Sequence, residues 1–175
     1  MIKMRKIVLA GAAIAVLGLG TAHAAILGPD ANVCSAGDSP AILVKVVGLK
    51  NRAGKVRART FTGNPKTYFD KKFYLKRTEV DAPDSGVVEI CMPVPKPGRY
   101  AVDIRHDINN NGDSDKADGA GTSGNPEVSL FDILFKRRPP ANKVEISVGS
   151  GVTVVPIVIN YVQGGSLKPI TNSAR

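Results

Sequence analysis

The sequence predicts an all-β protein, folded as a single antiparallel β-sandwich of about seven strands with a long acidic loop. Val and Ile supply the largest share of the apolar content, which favours strands over helices. The 12 prolines and 18 glycines interrupt the 175 residues at short intervals, as in proteins built from many short strands. No long segment after residue 24 shows the apolar period of an amphipathic helix.

Residues 1–24 are predicted to be a secretory signal peptide. Three basic residues (Lys3, Arg5 and Lys6) precede an apolar run at Ile7–Leu19, and Ala22-His23-Ala24 matches a small-x-small cleavage site. The run is too short for a transmembrane helix. We therefore expect cleavage after Ala24 to leave a periplasmic or secreted protein without a transmembrane segment. The signal peptide holds three of the 24 Lys and Arg residues and none of the 15 acidic residues, so the remaining chain keeps a net charge of +6.

The rest of the chain is predicted to form one domain, since its length suits a single hydrophobic core. An N-terminal arm (residues 25–40) precedes the β-sandwich domain (41–161), and a flexible polar tail (162–175) follows it. Cys34 lies in the arm and Cys91 in a predicted strand, and a cysteine pair in an exported protein indicates a disulfide. Two buried free thiols are the alternative. The lack of a CxxC motif argues against a redox enzyme.

Seven segments are predicted to be strands, because short apolar runs alternate with Pro, Gly and polar turns. The first run is almost continuously apolar. The second alternates, so we expect Lys55, Arg57 and Arg59 to face water while Val56 and Ala58 face the core. This succession suits an Ig-like or transthyretin-like sandwich. The predicted strands are Ala41–Leu49, Lys55–Phe61, Phe73–Val80, Val87–Met92, Tyr100–Arg105, Val144–Val148 and Val152–Tyr161.

The segment His106–Gly119 (H-D-I-N-N-N-G-D-S-D-K-A-D-G) is the clearest candidate for a functional site. Counted from Asp107, its oxygen-bearing side chains and Gly112 match the calcium-loop pattern D-x-[DN]-x-[DN]-G. Calcium takes about six to eight oxygen ligands, and the residue at position seven contributes its backbone carbonyl. The predicted ligands of a structural Ca²⁺ ion are Asp107, Asn109, Asn111, Asp113, Asp115 and Asp118.

The charge of this segment also favours a bound cation. Four of the 15 acidic residues crowd into it and repel one another. A solvated Asn/Asp/Gly turn is the alternative. Amphipathic helices do not flank the segment and position twelve is Asp118 rather than Glu, so we expect a lone calcium loop in a fold other than the EF-hand. His106 is the one histidine after residue 24, which excludes a two-histidine zinc site. We interpret it as a structural residue.

Two further motifs have a physical interpretation. Pro97-Gly98-Arg99-Tyr100 predicts a corner in which the Tyr100 phenol bonds back to the backbone. The basic stretch Lys136-Arg137-Arg138, with Lys143 nearby, could bind anionic envelope polymers or lipid head groups, or could form a solvated loop beside Pro139-Pro140. Nucleic-acid binding is not expected, because the exposed aromatic residues needed for base stacking are lacking.

Three motifs in order resemble those of a known family. V-G-L-K-N-R-A-G-K-V-R at Val47–Arg57, P-K-P-G-R-Y-A-V at Pro95–Val102 and H-D-I-N-N-N-G at His106–Gly112 are similar to the bacterial domain-of-unknown-function family 2141 (DUF2141). The resemblance covers about residues 41–161. It implies a small exported β-sandwich and assigns no activity. After Asp118 the chain departs from the family's usual Gly-Phe-rich segment and reads N-P-E-V-S-L-F-D-I-L-F-K-R-R-P-P.

Two classes of function fit these observations. The first is an exported, non-enzymatic binding module of the cell envelope, in which calcium orders the acidic loop and the partner is an unknown envelope component, either an anionic polymer or a protein. The second is a calcium-assisted hydrolase acting on an envelope polymer. A purely structural envelope protein is a third interpretation. The single histidine and the lack of a G-x-S-x-G nucleophile motif favour the non-enzymatic module.

Overall fold

The computed structural model describes residues 25–129, 131–132, 135 and 137–170. The predicted signal peptide lies outside these residues. The described residues form eleven strands in two sheets, which confirms the all-β sandwich-like fold expected from the sequence. The strands are β1 (Ile26–Leu27), β2 (Ala41–Val47), β3 (Lys55–Thr62), β4 (Lys76–Asp81), β5 (Val88–Pro93), β6 (Gly98–Asp107), β7 (Gly119–Thr122), β8 (Ile146–Val148), β9 (Val152–Val158), β10 (Asn160–Gln163) and β11 (Ser166–Pro169), and the helices include α1 (Ala31–Ala36) and α2 (Ala141–Val144).

The smaller sheet has the strand order β1-β5-β2-β9, and the larger sheet has the order β11-β10-β7-β6-β3-β4, with β8 paired to β6. Most neighbouring strands are antiparallel, as predicted. The smaller sheet adds two parallel pairs, β1 with β5 and β2 with β9. The chain passes from the smaller to the larger sheet at Ile159, between β9 and β10. The long strand β6 lies inside the larger sheet, so both of its ends are held by neighbours.

The core lies between the two sheets and follows the two-residue period of the strands. Val44 and Val46 of β2 belong to the same buried cluster as Val56 and Ala58 of β3 and Ile104 of β6, and all five are at most 2% exposed. β2 is apolar on both faces because α1 and the Cys34–Cys91 disulfide cover its outer side. The disulfide is formed as predicted, with its Cα atoms 5.8 Å apart, and it ties the N-terminal arm to β5.

The corner predicted before β6 is present. The Tyr100 hydroxyl donates a hydrogen bond of 2.6 Å to the Lys96 carbonyl, and the ring is buried in the core. This bond closes the Pro-Gly turn that feeds the chain into β6. Tyr100 therefore fixes the start of the strand whose other end carries the acidic loop.

Several predicted boundaries were wrong. β7 lies within the segment predicted to be a loop after Ile108, and β11 pairs with β10 where a flexible polar tail was predicted from residue 162. The predicted N-terminal arm contains β1 and α1, neither of which was predicted. β4 begins at Lys76, since residues 73–75 are exposed loop, and β8 begins at Ile146 because α2 precedes it. Residues 171–175 of the predicted tail lie outside the described part of the chain.

Glycines explain why β7 escaped prediction. Its sequence Gly-Ala-Gly-Thr lacks the branched apolar residues typical of strands. The strand packs so closely on the chain after β9 that a Cβ at Gly119 would lie 2.3 Å from Cγ2 of Ile159. The glycines of β7 therefore allow the strand to pack closely on the chain after β9, and the strand does not depend on burial of large side chains.

Candidate functional site

The acidic loop connects β6 to β7 at one end of the larger sheet. Because these strands are antiparallel and His106 pairs with Gly119, Asp107 and Asp118 lie on either side of the neck of the loop. Both are buried, at 4% and 9% exposure, whereas residues 109–117 are exposed. Gly112, at a φ of 81°, and Asn110, at 55°, adopt the left-handed conformation that turns the chain back. The loop is thus an exposed rim on a buried neck.

Asp107 is held from three directions. Its Oδ2 atom accepts hydrogen bonds from an Arg105 guanidinium nitrogen (3.0 Å) and the Gly112 backbone N–H (3.0 Å), and its Oδ1 atom accepts one from the Asn111 backbone N–H (3.2 Å). Arg105 also donates to the Gly112 carbonyl (2.8 Å) and the Ser114 hydroxyl (3.0 Å). Arg105 therefore joins the neck of the loop to its far side. This role of Arg105 was not predicted from the sequence.

Asp118 closes the other side of the neck. Its Oδ1 atom accepts a hydrogen bond from the Ile108 backbone N–H (3.2 Å), and its Oδ2 atom accepts one from the Asp115 backbone N–H (3.4 Å). Each oxygen retains a second lone pair. The two buried carboxylates thus hold the loop through its own backbone.

The rim brings three of the predicted ligands together. The side-chain amides of Asn109 (2.8 Å) and Asn111 (3.3 Å) both donate to the same oxygen of Asp115. Hydrogen bonds, first from the Ala117 backbone and then from the Asn109 amide, hold the pKa of Asp115 below its ordinary value, so this carboxylate is ionised at neutral pH. The three side chains converge on one point above the neck.

Asp113 stands apart from the other predicted ligands. Its backbone N–H donates to the Asn111 side-chain oxygen (2.9 Å), and its exposed side chain lines a neighbouring cleft together with Gly112 and Ser114. Within the described residues, no three His, Cys, Asp or Glu side chains are close enough to hold a metal ion by themselves. A cation in this loop would therefore need the asparagine oxygens and backbone carbonyls as well.

The chemistry of the donor set fits calcium. The six residues offer carboxylate and amide oxygens and no nitrogen or sulfur ligand, which is the preference of a hard cation. A half-turn of the Asn109 and Asn111 amides would direct two oxygens to the point that their nitrogens now share with Asp115. The turn would break the hydrogen bonds that these oxygens now accept from the Asn111 and Asp113 backbone N–H groups, so calcium would have to rearrange the rim. Asp107 and Asp118 would supply the charge at the neck. The positive charge of the Arg105 guanidinium repels a calcium ion in the loop, so we expect weak rather than tight calcium binding.

His106 is structural, as interpreted from the sequence. Its side chain is 0% exposed. The Nε2–H group donates to the Ala53 carbonyl (2.8 Å), and Nδ1 accepts from the Tyr161 hydroxyl (2.6 Å), which itself accepts from the Lys50 backbone N–H (2.9 Å). Burial lowers the pKa of His106, so the neutral ring is favoured. Both ring nitrogens therefore hold the loop between β2 and β3 against β10.

The basic stretch lies beside the same end of the sheet. Arg138 donates to the Lys66 carbonyl (2.7 Å) and forms an ion pair with Asp70 (3.6 Å), and the Arg137 guanidinium lies over the Phe135 ring. Lys136 lies outside the described residues. Arg57 and Arg59, expected to face water, are half-buried, because the segments around residues 70 and 137 fold over this face of the sheet. Both side chains lie on the face away from the core, as expected, but they are less exposed than expected.

The fold and the site define an all-β sandwich protein with an Asp- and Asn-rich hairpin loop at one end of its larger sheet. The chain belongs to the family described as uncharacterized proteins conserved in bacteria, DUF2141, whose model matches residues 44–155. This match confirms the resemblance found in the sequence motifs. No curated protein and no solved structure matches the chain significantly. No helix among the described residues is long and apolar enough to cross a membrane.

Proposed function

We propose that the protein is an exported, non-enzymatic binding module of the cell envelope, whose β6–β7 loop binds calcium and presents an interaction surface. Export rests on the predicted signal peptide. The observation that carries the calcium proposal is the convergence of Asn109 and Asn111 on one oxygen of Asp115, above the buried carboxylates of Asp107 and Asp118. Calcium would screen the mutual repulsion of these carboxylates and order the exposed rim.

The state of His106 supports a binding role over hydrolysis. A hydrolase of the Ser-His-Asp type needs a histidine whose Nε2 can take a proton from a nucleophile. In this chain His106 is fully buried and its Nε2 donates to the Ala53 carbonyl. No other histidine follows the predicted signal peptide. The acidic loop therefore has no histidine base at its disposal.

Thermal unfolding with and without calcium tests the proposal. We expect the melting temperature to rise by several degrees with calcium and to fall again with chelator. Extracellular calcium modules bind at about 10⁻⁴ to 10⁻³ M. At about 10 mM calcium a dissociation constant of about 10⁻⁴ M would stabilise the fold by roughly 2.7 kcal/mol. Magnesium should have a smaller effect, because it keeps its own waters and demands a tighter octahedral shell.

The matched variants are Asp115→Ala in the rim and Asp84→Ala in an exposed turn elsewhere, which remove the same charge. Asp115→Ala should abolish the calcium-dependent shift, and Asp84→Ala should retain it. An unchanged melting temperature for the wild-type protein across this calcium range would refute the calcium proposal.

A further inference from the structure

An open cleft of about 680 Å³ lies on the outer face of the larger sheet, next to the acidic loop. Its floor is formed by side chains of β3 and β6, and its walls by the loops around residues 70, 113 and 137. Among the described residues, six basic side chains line it, against the three acidic side chains of Asp70, Asp113 and Asp132. The basic residues are Arg57, Arg59, Lys71, Arg105, Arg137 and Arg138.

Three of these basic side chains are already neutralised. Arg59 forms a two-pronged ion pair with Asp103, Arg105 pairs with Asp107, and Arg138 pairs with Asp70. In the described part of the chain, which holds every Asp and Glu, the remaining cations Arg57, Lys71 and Arg137 form no ion pair. Asp113 and Asp132 also line the cleft without an ion pair to any described residue. Six cations therefore face five carboxylates when Asp103 and Asp107 are counted, and the described lining keeps a net charge of +1.

Arg57 is the least compensated of these groups. It sits at the floor of the cleft, in register with Arg105 on one neighbouring strand and Glu79 on the other, and Glu79 is taken by Arg77. Its Nε atom is buried without a hydrogen-bond partner. Burial, followed by the charges of Arg59 and Arg105, lowers the pKa of Arg57 to about 10. Below that pH, and therefore at neutral pH, the positive charge of Arg57 lowers the stability of the folded protein.

We propose that this cleft binds a phosphate-bearing anion, with the Arg57 guanidinium as its central contact. Guanidinium groups bind phosphate through charge-assisted and often two-pronged hydrogen bonds. The three cations without an ion pair approach from the floor (Arg57) and from two separate walls (Lys71 and Arg137). Such an arrangement suits a tetrahedral, multiply charged group that accepts bonds from several sides better than it suits a planar carboxylate.

The cleft and the acidic loop share a wall. Gly112, Asp113 and Ser114 line the cleft, and Arg105 connects this wall to the neck through Asp107 and Gly112. The inference deepens the proposed function by naming the chemistry of the partner, but anion binding at Arg57 does not require calcium. A calcium ion in the loop would reduce the repulsion between Asp113 and the anion and so increase its affinity.

Calorimetric titration with inorganic pyrophosphate, in calcium-free buffer of low ionic strength, tests the inference. The wild-type protein should bind one pyrophosphate and should bind citrate more weakly. Arg57→Gln should weaken pyrophosphate binding by about tenfold to a hundredfold, since it removes charge-assisted hydrogen bonds. Arg52→Gln, which removes the same charge from an exposed turn outside the cleft, should leave the affinity within about twofold of wild type.

The melting temperature separates a binding role of Arg57 from a structural one. Without anion, Arg57→Gln should melt at a higher temperature than wild type, because a repelled and half-buried charge has been removed.

Vesicles of phosphatidylglycerol, compared with phosphatidylcholine, distinguish a lipid phosphate from a soluble one. Sedimentation of the protein with these vesicles that is lost in Arg57→Gln assigns the lipid. Pyrophosphate binding without sedimentation assigns a soluble ester. Absence of binding to both probes, stronger binding of citrate, or equal affinity of wild type and Arg57→Gln would overturn the inference, whatever the loop does with calcium.

Discussion

Replacement of Asp107 by alanine is expected to lower the free energy of unfolding by about 3–5 kcal/mol. The variant would leave the Arg105 guanidinium as an unpaired charge in a side chain that is only 7% exposed. It would also remove the acceptor of the Asn111 and Gly112 backbone N–H groups. Urea unfolding of the calcium-free protein measures this loss. Asp107→Ala is therefore an unsuitable probe of calcium binding, and the exposed Asp115 is the better choice.

A charge-matched control is Asp113→Ala, which alters the same loop but removes an exposed carboxylate. It should change the free energy of unfolding by less than about 0.5 kcal/mol. Combining Asp107→Ala with Arg105→Met should recover part of the loss, because the stranded charge is then removed as well. Equal stability of Asp107→Ala and Asp113→Ala would contradict the assigned role of the Arg105–Asp107 pair.

Reduction of the disulfide is expected to lower the free energy of unfolding by about 2–5 kcal/mol. The bond joins residues 57 positions apart, and closing a loop of that length contributes about 4 kcal/mol in the chain-entropy model. Both sulfur-bearing residues lie in a small cluster that packs α1 on the outer face of the smaller sheet. Unfolding in denaturant with and without a thiol reductant measures the difference.

The double variant Cys34→Ala/Cys91→Ala provides the control, since its stability should resemble that of the reduced protein and should not respond to reductant. Protein purified from the periplasm should contain no titratable thiol until it is reduced. Two titratable thiols in denatured, unreduced protein would rule out the bridge in the exported form.

The larger part of the fold follows from the period of the apolar residues. Each of the seven predicted segments overlaps a strand of the structure, because short alternating runs between Pro and Gly turns leave few other ways to bury Val and Ile. The elements that could not be predicted depend on contacts between distant residues. β7 is formed by glycines that allow close packing against Ile159, and the β10–β11 hairpin turns at Gly164-Gly165, both of which have positive φ.

The candidate site was only partly predictable. The order of Asp, Asn and Gly residues located the loop, and alternation along the second predicted strand placed Lys55, Arg57 and Arg59 on one face. It did not show that this face is covered, because the covering segments around residues 70 and 137 lie far along the chain. Arg57 consequently looked like an ordinary solvent-facing residue. Its isolation from carboxylates depends on the pairing of Asp103 with Arg59 and of Glu79 with Arg77.

The most direct test of calcium binding by the β6–β7 loop is a calcium titration followed by the backbone amide NMR spectrum of the calcium-free protein. The account predicts saturable shifts at a dissociation constant of about 10⁻⁴ to 10⁻³ M. These shifts should be concentrated in residues 107–118, with the Asn111 and Gly112 amides that bond to Asp107 among the largest, and they should be absent in Asp115→Ala. A spectrum that does not change with calcium, or shifts that map to other parts of the sandwich, would contradict it.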